Sequence, residues 1–239
     1  MAAALISGCE GSVTYASGYT TNAYSWLMRY RADVIDRTPF TPTSSYMSRQ
    51  AGILSGSGTY KCHYPVTVTS AVTGPAYVSF VNAYDLTLIC KELEGTKFTD
   101  AAKTYIAGLL SAEGNYTAWL DDTTALPTAG ATANGVFLLQ TGLGYTVPLV
   151  VGEDVSVEVS ADGSARQATI PFKSTGVVTL TGSPPIPGIA SSAATFVAYT
   201  GRQYSGSIIP TRIGVRMRAD RTQGEITVDF VVNGALTPA

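Results

Sequence analysis

Apolar residues in this chain recur at every second position far more often than at every third or fourth, and that period decides most of what it can fold into. Trp26, Met28 and Tyr30 alternate, as do Val155, Val157 and Val159, and Ala168, Ile170 and Phe172. The pattern returns at Ile213, Val215 and Met217, and at Ile226, Val228, Phe230 and Val232. Successive side chains of a strand point to opposite faces, so each run reads as a strand with one buried face. Thr38-Pro39, Tyr64-Pro65, Gly74-Pro75, Asp162-Gly163, Ser183-Pro184-Pro185 and Asn233-Gly234 punctuate the runs as turns. With 31 Thr and 14 Tyr against 5 Lys and 4 Met, composition favours strand as well. The expected fold class is mainly β, an antiparallel β-sandwich or barrel, and 239 residues suffice for one large β domain or two small ones.

One stretch departs from the period. Phe98, Ala102, Tyr105, Ile106 and Leu109 have the spacing of one helix face, Thr99 or Asp100 stands ready as a cap and Gly114 follows, so the spacing predicts a single helix near 99–112. An internal repeat is visible at an offset of 58. Laying 155–180 over 213–238 matches Val157 with Val215, Asp162 with Asp220, Thr169 with Thr227, Phe172 with Phe230 and Gly176 with Gly234. This is a hairpin written twice, with copies at 145–180 and 203–238. The prolines of 182–188 remove ladder donors and make that segment a stiff connector. The domain organisation expected is 1–182, containing the helix and the first hairpin, followed by 183–239, the connector and second hairpin, packed on or completing the same domain.

A net charge of −2 with 13% charged residues excludes disorder and excludes binding to nucleic acid through a general basic excess. The small total hides an uneven distribution. Residues 1–84 carry five basic and three acidic groups, 85–162 three and eleven, and 163–239 seven and three. An acidic middle between two basic ends is what head-to-tail association of one surface with another uses. Cys9, Cys62 and Cys90 fit neither a disulfide framework nor a metal knuckle and read as free thiols. The N-terminal segment lacks the basic region and apolar core of a signal peptide, no apolar run approaches the ~20 residues of a membrane span, and synthesis in the cytoplasm is expected.

Catalytic groups are hard to find. Strand neighbours Cys62 and His63 point to opposite faces and do not make a dyad, and a single histidine excludes His₂ and His₃ metal sites within one chain. Gly56-Ser57-Gly58 has no following helix to make a phosphate loop and reads as the start of a strand. The carboxylate pairs Glu92/Glu94, Asp121/Asp122 and Glu153/Asp154 read as solvated. No catalytic, cofactor-binding or metal residue is expected, and no cofactor.

The order of certain segments carries a resemblance. Residues 24–40, Tyr-Ser-Trp-Leu-Met-Arg-Tyr-Arg-Ala-Asp-Val-Ile-Asp-Arg-Thr-Pro-Phe, resemble the early Trp-containing strand and loop of the major tail tube proteins of long-tailed (siphovirus-like) bacteriophages. Arg49 to Tyr60, with Gly52-Ile53-Leu54-Ser55-Gly56-Ser57, resembles that family's Gly-Leu-x-x-x-Ser-Gly-Ser strand start, and Asp100-Ala101-Ala102 the opening of its lone helix. Tyr204 to Leu236 resembles its closing hairpin, and Tyr145 to Leu180 resembles the same piece less closely. The segment 65–97 is longer than the family places there, and the closing hairpin is doubled.

The resemblance implies a structural virion protein: a small β-sandwich subunit of stacked hexameric rings, whose sheets join into an inner barrel through which DNA passes without sequence-specific binding. It implies partners in self-assembly, in the tape measure, terminator and baseplate proteins of the tail, and a place in the virion after synthesis in the host bacterial cytoplasm. Two other readings stand beside it. One is another virion part of related fold, a neck, tail terminator or capsid decoration protein; the other is a carbohydrate or host-surface binding β-sandwich using the 14 Tyr and 2 Trp.

Overall fold

The computed structural model describes residues 12–15, 23–36, 49–65, 72–73, 81–97, 100–120, 128–159, 166–188, 192–199, 201–218 and 223–238. These form the strands β1 (Ser12–Tyr15), β2 (Ala23–Asp36), β3 (Arg49–Pro65), β4 (Val72–Thr73), β5 (Val81–Glu94), β6 (Tyr105–Leu120), β7 (Thr132–Gln140) and β8 (Leu143–Val151). They continue with β9 (Ser156–Glu158), β10 (Arg166–Ser174), β11 (Thr179–Thr181), β12 (Ser192–Tyr199), β13 (Arg202–Arg218), β14 (Gln223–Val232) and β15 (Thr237–Pro238). The fold is mainly β, and every ladder between these strands is antiparallel. All fifteen belong to one hydrogen-bonded system whose central path runs β2-β3-β14-β13-β5-β6-β10.

The two-residue period explains the core. Tyr60 and Cys62 of β3, Ile226, Val228 and Phe230 of β14, Ile213, Val215 and Met217 of β13, Leu86 and Leu88 of β5, and Ile170 and Phe172 of β10 are all buried, and the residues between them are not. Each side chain of this size contributes roughly 1.5–3 kcal/mol when fully buried. Two groups of strands supply the cover. From β12, Phe196 stacks on Phe230 at 5.1 Å and lies 5.7 Å from Trp26, whose Nε1–H donates to Val197 O at 3.3 Å. From β7, Phe137 stacks on Phe172 at 4.9 Å and meets Tyr84 edge-on at 5.4 Å, while the Tyr84 hydroxyl donates to Leu138 O at 2.9 Å. Strand β13 joins cover to sheet: its residues 212–218 pair with β5, a bulge falls between Pro210 and Arg212, and residues 202–208 pair with β12.

The repeated hairpin keeps its register. Ser156, Val157 and Glu158 oppose Thr169, Ala168 and Gln167, and their counterparts Gly214, Val215 and Arg216 oppose Thr227, Ile226 and Glu225. The equivalence then extends over the remaining strands. Pairs Phe137↔Tyr145 and Phe196↔Tyr204 correspond, and Gly142 and Gly201 at the two turns both have φ +78. Val72 opposes Phe137 as Val13 opposes Phe196. Strand β3 corresponds to β6, with Gly52, Leu54, Ser55, Gly58 and Tyr60 returning as Gly108, Leu110, Ser111, Gly114 and Tyr116. Trp26 opposes Tyr60 as Tyr84 opposes Tyr116, and both β2–β3 and β5–β6 carry bulges at matching positions.

The chain is thus two equivalent units. The first is 12–65 with 192–238, ordered β2-β3-β14-β13; the second is 72–181, ordered β5-β6-β10-β9, and it is inserted between the halves of the first. The connector 182–188 is held firmly between them. Pro184, Pro185 and Pro187 are buried, Gly188 N–H donates to Pro210 O at 2.8 Å, and the Tyr145 hydroxyl donates to Pro185 O at 2.5 Å.

The helix expected near 99–112 is not there; among the described residues there is no helix, and Phe98 and Thr99 lie outside them. Ala101 and Lys103 bond to Leu54 of β3, with Leu54 N–H donating to Ala101 O at 3.1 Å and Lys103 N–H donating to Leu54 O at 2.9 Å. From Tyr105 the chain is strand. The helix face fails because Ile106 and Leu109 are 62% and 90% exposed, whereas Ala112, Tyr116 and Ala118, spaced as in a strand, carry the burial. A bulge opposite Lys91 at Gly108-Leu109 produces the spacing that imitates a helix.

The glycines shared by β3 and β6 do the same job twice. A Cβ at Gly58 would run into Leu27 O and the Phe230 ring, and one at Gly114 into the equivalent backbone oxygen, Asp85 O. Gly214 has nothing within 4 Å of where its Cβ would stand. Gly58→Ala and Gly114→Ala are each expected to lower stability by about 1–3 kcal/mol, and Gly214→Ala to change it by less than about 0.5 kcal/mol, as read from urea midpoints.

Candidate functional site

With its apolar face covered, the central sheet leaves its other face open. Polar side chains interlock across that face. Arg216 Nε lies 2.7 Å from Asp85 Oδ1, Lys61 Nζ lies 3.8 Å from Glu225 Oε1, the Tyr24 hydroxyl donates to Glu225 Oε2 at 3.0 Å, and Thr59 Oγ1 donates to Asp229 Oδ1 at 2.6 Å. A shallow groove of about 440 Å³ runs over these groups between β3 and β6. Arg216 and Asp85 remain 60% and 42% exposed, so their pairing contributes at most about 1 kcal/mol and, among the described residues, no layer covers them.

The charge segments meet inside the molecule. Asp85 of the acidic middle pairs with Arg216 of the basic C-terminal third, so part of the complementarity expected between copies is met within one chain. Hydrogen bonding to Asp85 raises the pKa of Arg216, and partial burial followed by the Glu225 bond raises that of Tyr24. Along a face of interleaved signs, a phosphate backbone finds no continuous positive track.

The residues singled out from sequence do not converge. Cys62 and His63 point to opposite faces as strand neighbours: Cys62 is buried against Ile226 O at 3.8 Å, and His63 stacks on Tyr24 at 4.2 Å on the open face. Gly56-Ser57-Gly58 lies within β3, where its glycines make room for Val232 and Phe230. Glu92 and Glu94 are exposed in β5, where Lys103 Nζ approaches Glu94 Oε2 to 2.9 Å and its hydrogen bond lowers the Glu94 pKa. Glu153 and Asp154 are exposed between β8 and β9; Asp121, Asp122 and Cys9 lie outside the described residues. Among the described residues, no three of His, Cys, Asp and Glu are grouped to hold a metal ion, and no helix is long and apolar enough to cross a membrane.

The open backbone lies at the ends of the sheet. Strand β2 pairs with β3 on one side, and among the described residues nothing pairs with its other side over 14 residues; β9, paired with β10, likewise has a free outer edge. Val157 and Val159, expected to be half-buried, are 45% and 64% exposed because β9 ends the sheet among the described residues and Val159 lies just beyond it. Leu27, Val34 and Tyr30 of β2 are exposed as well. Sequence reasoning missed this site because its defining property is a missing neighbour. The signal that would have exposed it is the second copy of Gly-x-Leu-Ser-x-x-Gly-x-Tyr at 108–116, which marks β6 as a strand equivalent to β3.

No protein-family model matches the chain, and no curated protein matches it.

Burial, with a smaller contribution from Glu225, pushes the Cys62 thiol up to about 11. The folded protein therefore holds this proton more tightly than the unfolded chain, and the stability that goes with it is intact below pH 9 and lost as pH rises from about 9 to about 11. Denaturation midpoints measured across that window are expected to fall, and to fall less in Cys62→Ala. Peptide-resolved iodoacetamide labelling at pH 8 is expected to modify Cys62 only after unfolding.

Proposed function

We propose that the protein is a non-enzymatic structural subunit, the major tail tube protein of a long-tailed bacteriophage, in which six-membered rings stack into a conduit for DNA ejection. The observation that carries the reading is that, among the described residues, a broad sheet has one face sealed by its own strands, the other face open and polar, and both edges unpaired. A long unpaired edge is a liability for a solitary protein, because its N–H and C=O groups pair with any available strand. Joining edge to edge around a ring removes that liability, since a closed sheet has no free edge. In this arrangement each unit is a β-sandwich whose covering strands face outward, and the polar face lines the lumen. Interleaved Lys61, Glu225, Arg216 and Asp85 give that lining little net charge, which lets a polyanion slide past without adhering.

The order of motifs resembling tail tube proteins supports the same reading, with the tape measure, terminator and baseplate proteins as further partners and the virion tail as the location. Ring stacking is a heterologous, non-closing contact of the type that makes filaments. Concentrated purified protein is expected to show rings and tubes in negative-stain micrographs. A sedimentation profile that stays monomeric at every concentration, with empty micrographs, would sink the proposal.

A further inference from the structure

We infer that the joint between two chains copies the joint already present inside each chain, so that every chain fills two positions of the ring and three chains close it. The inside joint is β13 against β5, with Arg212, Gly214 and Arg216 opposite Ile89, Thr87 and Asp85. In the two-unit description it joins the last strand of the first unit to the first strand of the second. The equivalent last strand of the second unit is the segment 154–159 around β9, and the equivalent first strand of the first unit is β2. Those are the two free edges.

Transferring the register makes the fit specific. Arg212 corresponds to Asp154 and Ile89 to Arg31, so the joint between chains sets Asp154 opposite Arg31. Likewise Ser156 faces Arg29, Val157 faces Met28 and Val159 faces Trp26. On the open face the acidic Asp154 and Glu158 of one chain thereby interleave with the exposed Arg29 and Arg31 of the next. On the apolar face, Val157 and Val159 gain the cover they lack in a single chain. The contact is heterologous and repeats around a ring. The edge assignment stands on pairing geometry alone; the number three rests in addition on the six-membered ring of the tube reading.

The test places cysteines at Ser156→Cys and Arg29→Cys in the full chain carrying Cys9→Ser, oxidises the assembled protein mildly, and resolves it by non-reducing electrophoresis. A cross-linked ladder that stops at three chains, with a sedimenting ring of three times 25.0 kDa, is the expected result. A ladder reaching six chains overturns the stoichiometry while leaving the tube reading intact; rings without cross-links overturn the edge assignment. Three-chain rings that never stack uphold the inference and remove the conduit. Independently, Arg31→Asp is expected to abolish rings and Asp154→Arg in the same chain to restore them; rings unaffected by Arg31→Asp count against the joint.

Discussion

Pairing of backbone donors and acceptors along β13 and β5 is the constraint on which the rest of the architecture depends. From Arg212 to Arg218 against Ala83 to Ile89, it fuses two equivalent four-stranded units into one sheet. Were it absent, each unit would present open strands on both sides, with every unpaired N–H and C=O on them dependent on water or on a partner. The seam also brings Asp85 to Arg216, so on the polar side the two units are electrostatically matched there.

How a single layer of strands becomes a covered core follows from what happens at the ends of β13 and β8. Each of these strands is paired with the sheet at one end and with the covering strands at the other, and β13 carries a break in register where it changes partner. That shared strand fixes the position of the cover, which is why Phe196 lands on Phe230 and Phe137 on Phe172 with ring distances of 5.1 and 4.9 Å. Stacked rings of this kind contribute about 0.5–1.5 kcal/mol beyond their buried area. Among the described residues the cover reaches only one face and leaves the other open.

A chain with 13% charged residues places several of them on that open face as alternating signs. Exposed pairs contribute little to stability. Their arrangement instead sets the electrostatic field that the surface presents to its surroundings.

Strand content, the buried and exposed faces of β10, β13 and β14, and the hairpin repeat were legible in sequence, because the period of two and the turn residues are local properties. Local spacing also misled: a bulge at Gly108-Leu109 shifted apolar residues into helical phase, and the false helix concealed that 108–116 repeats 52–60. Val157 and Val159 alternate like core residues, yet whether an alternating strand is buried depends on a neighbour that sequence does not specify. What the sequence by itself determined was which side chains face together along each strand. Only the tertiary structure decided which strands are neighbours, how one unit is inserted in the other and which edges stay open, since these depend on pairings between residues as distant in sequence as Ser12 and Val197 that no local pattern encodes.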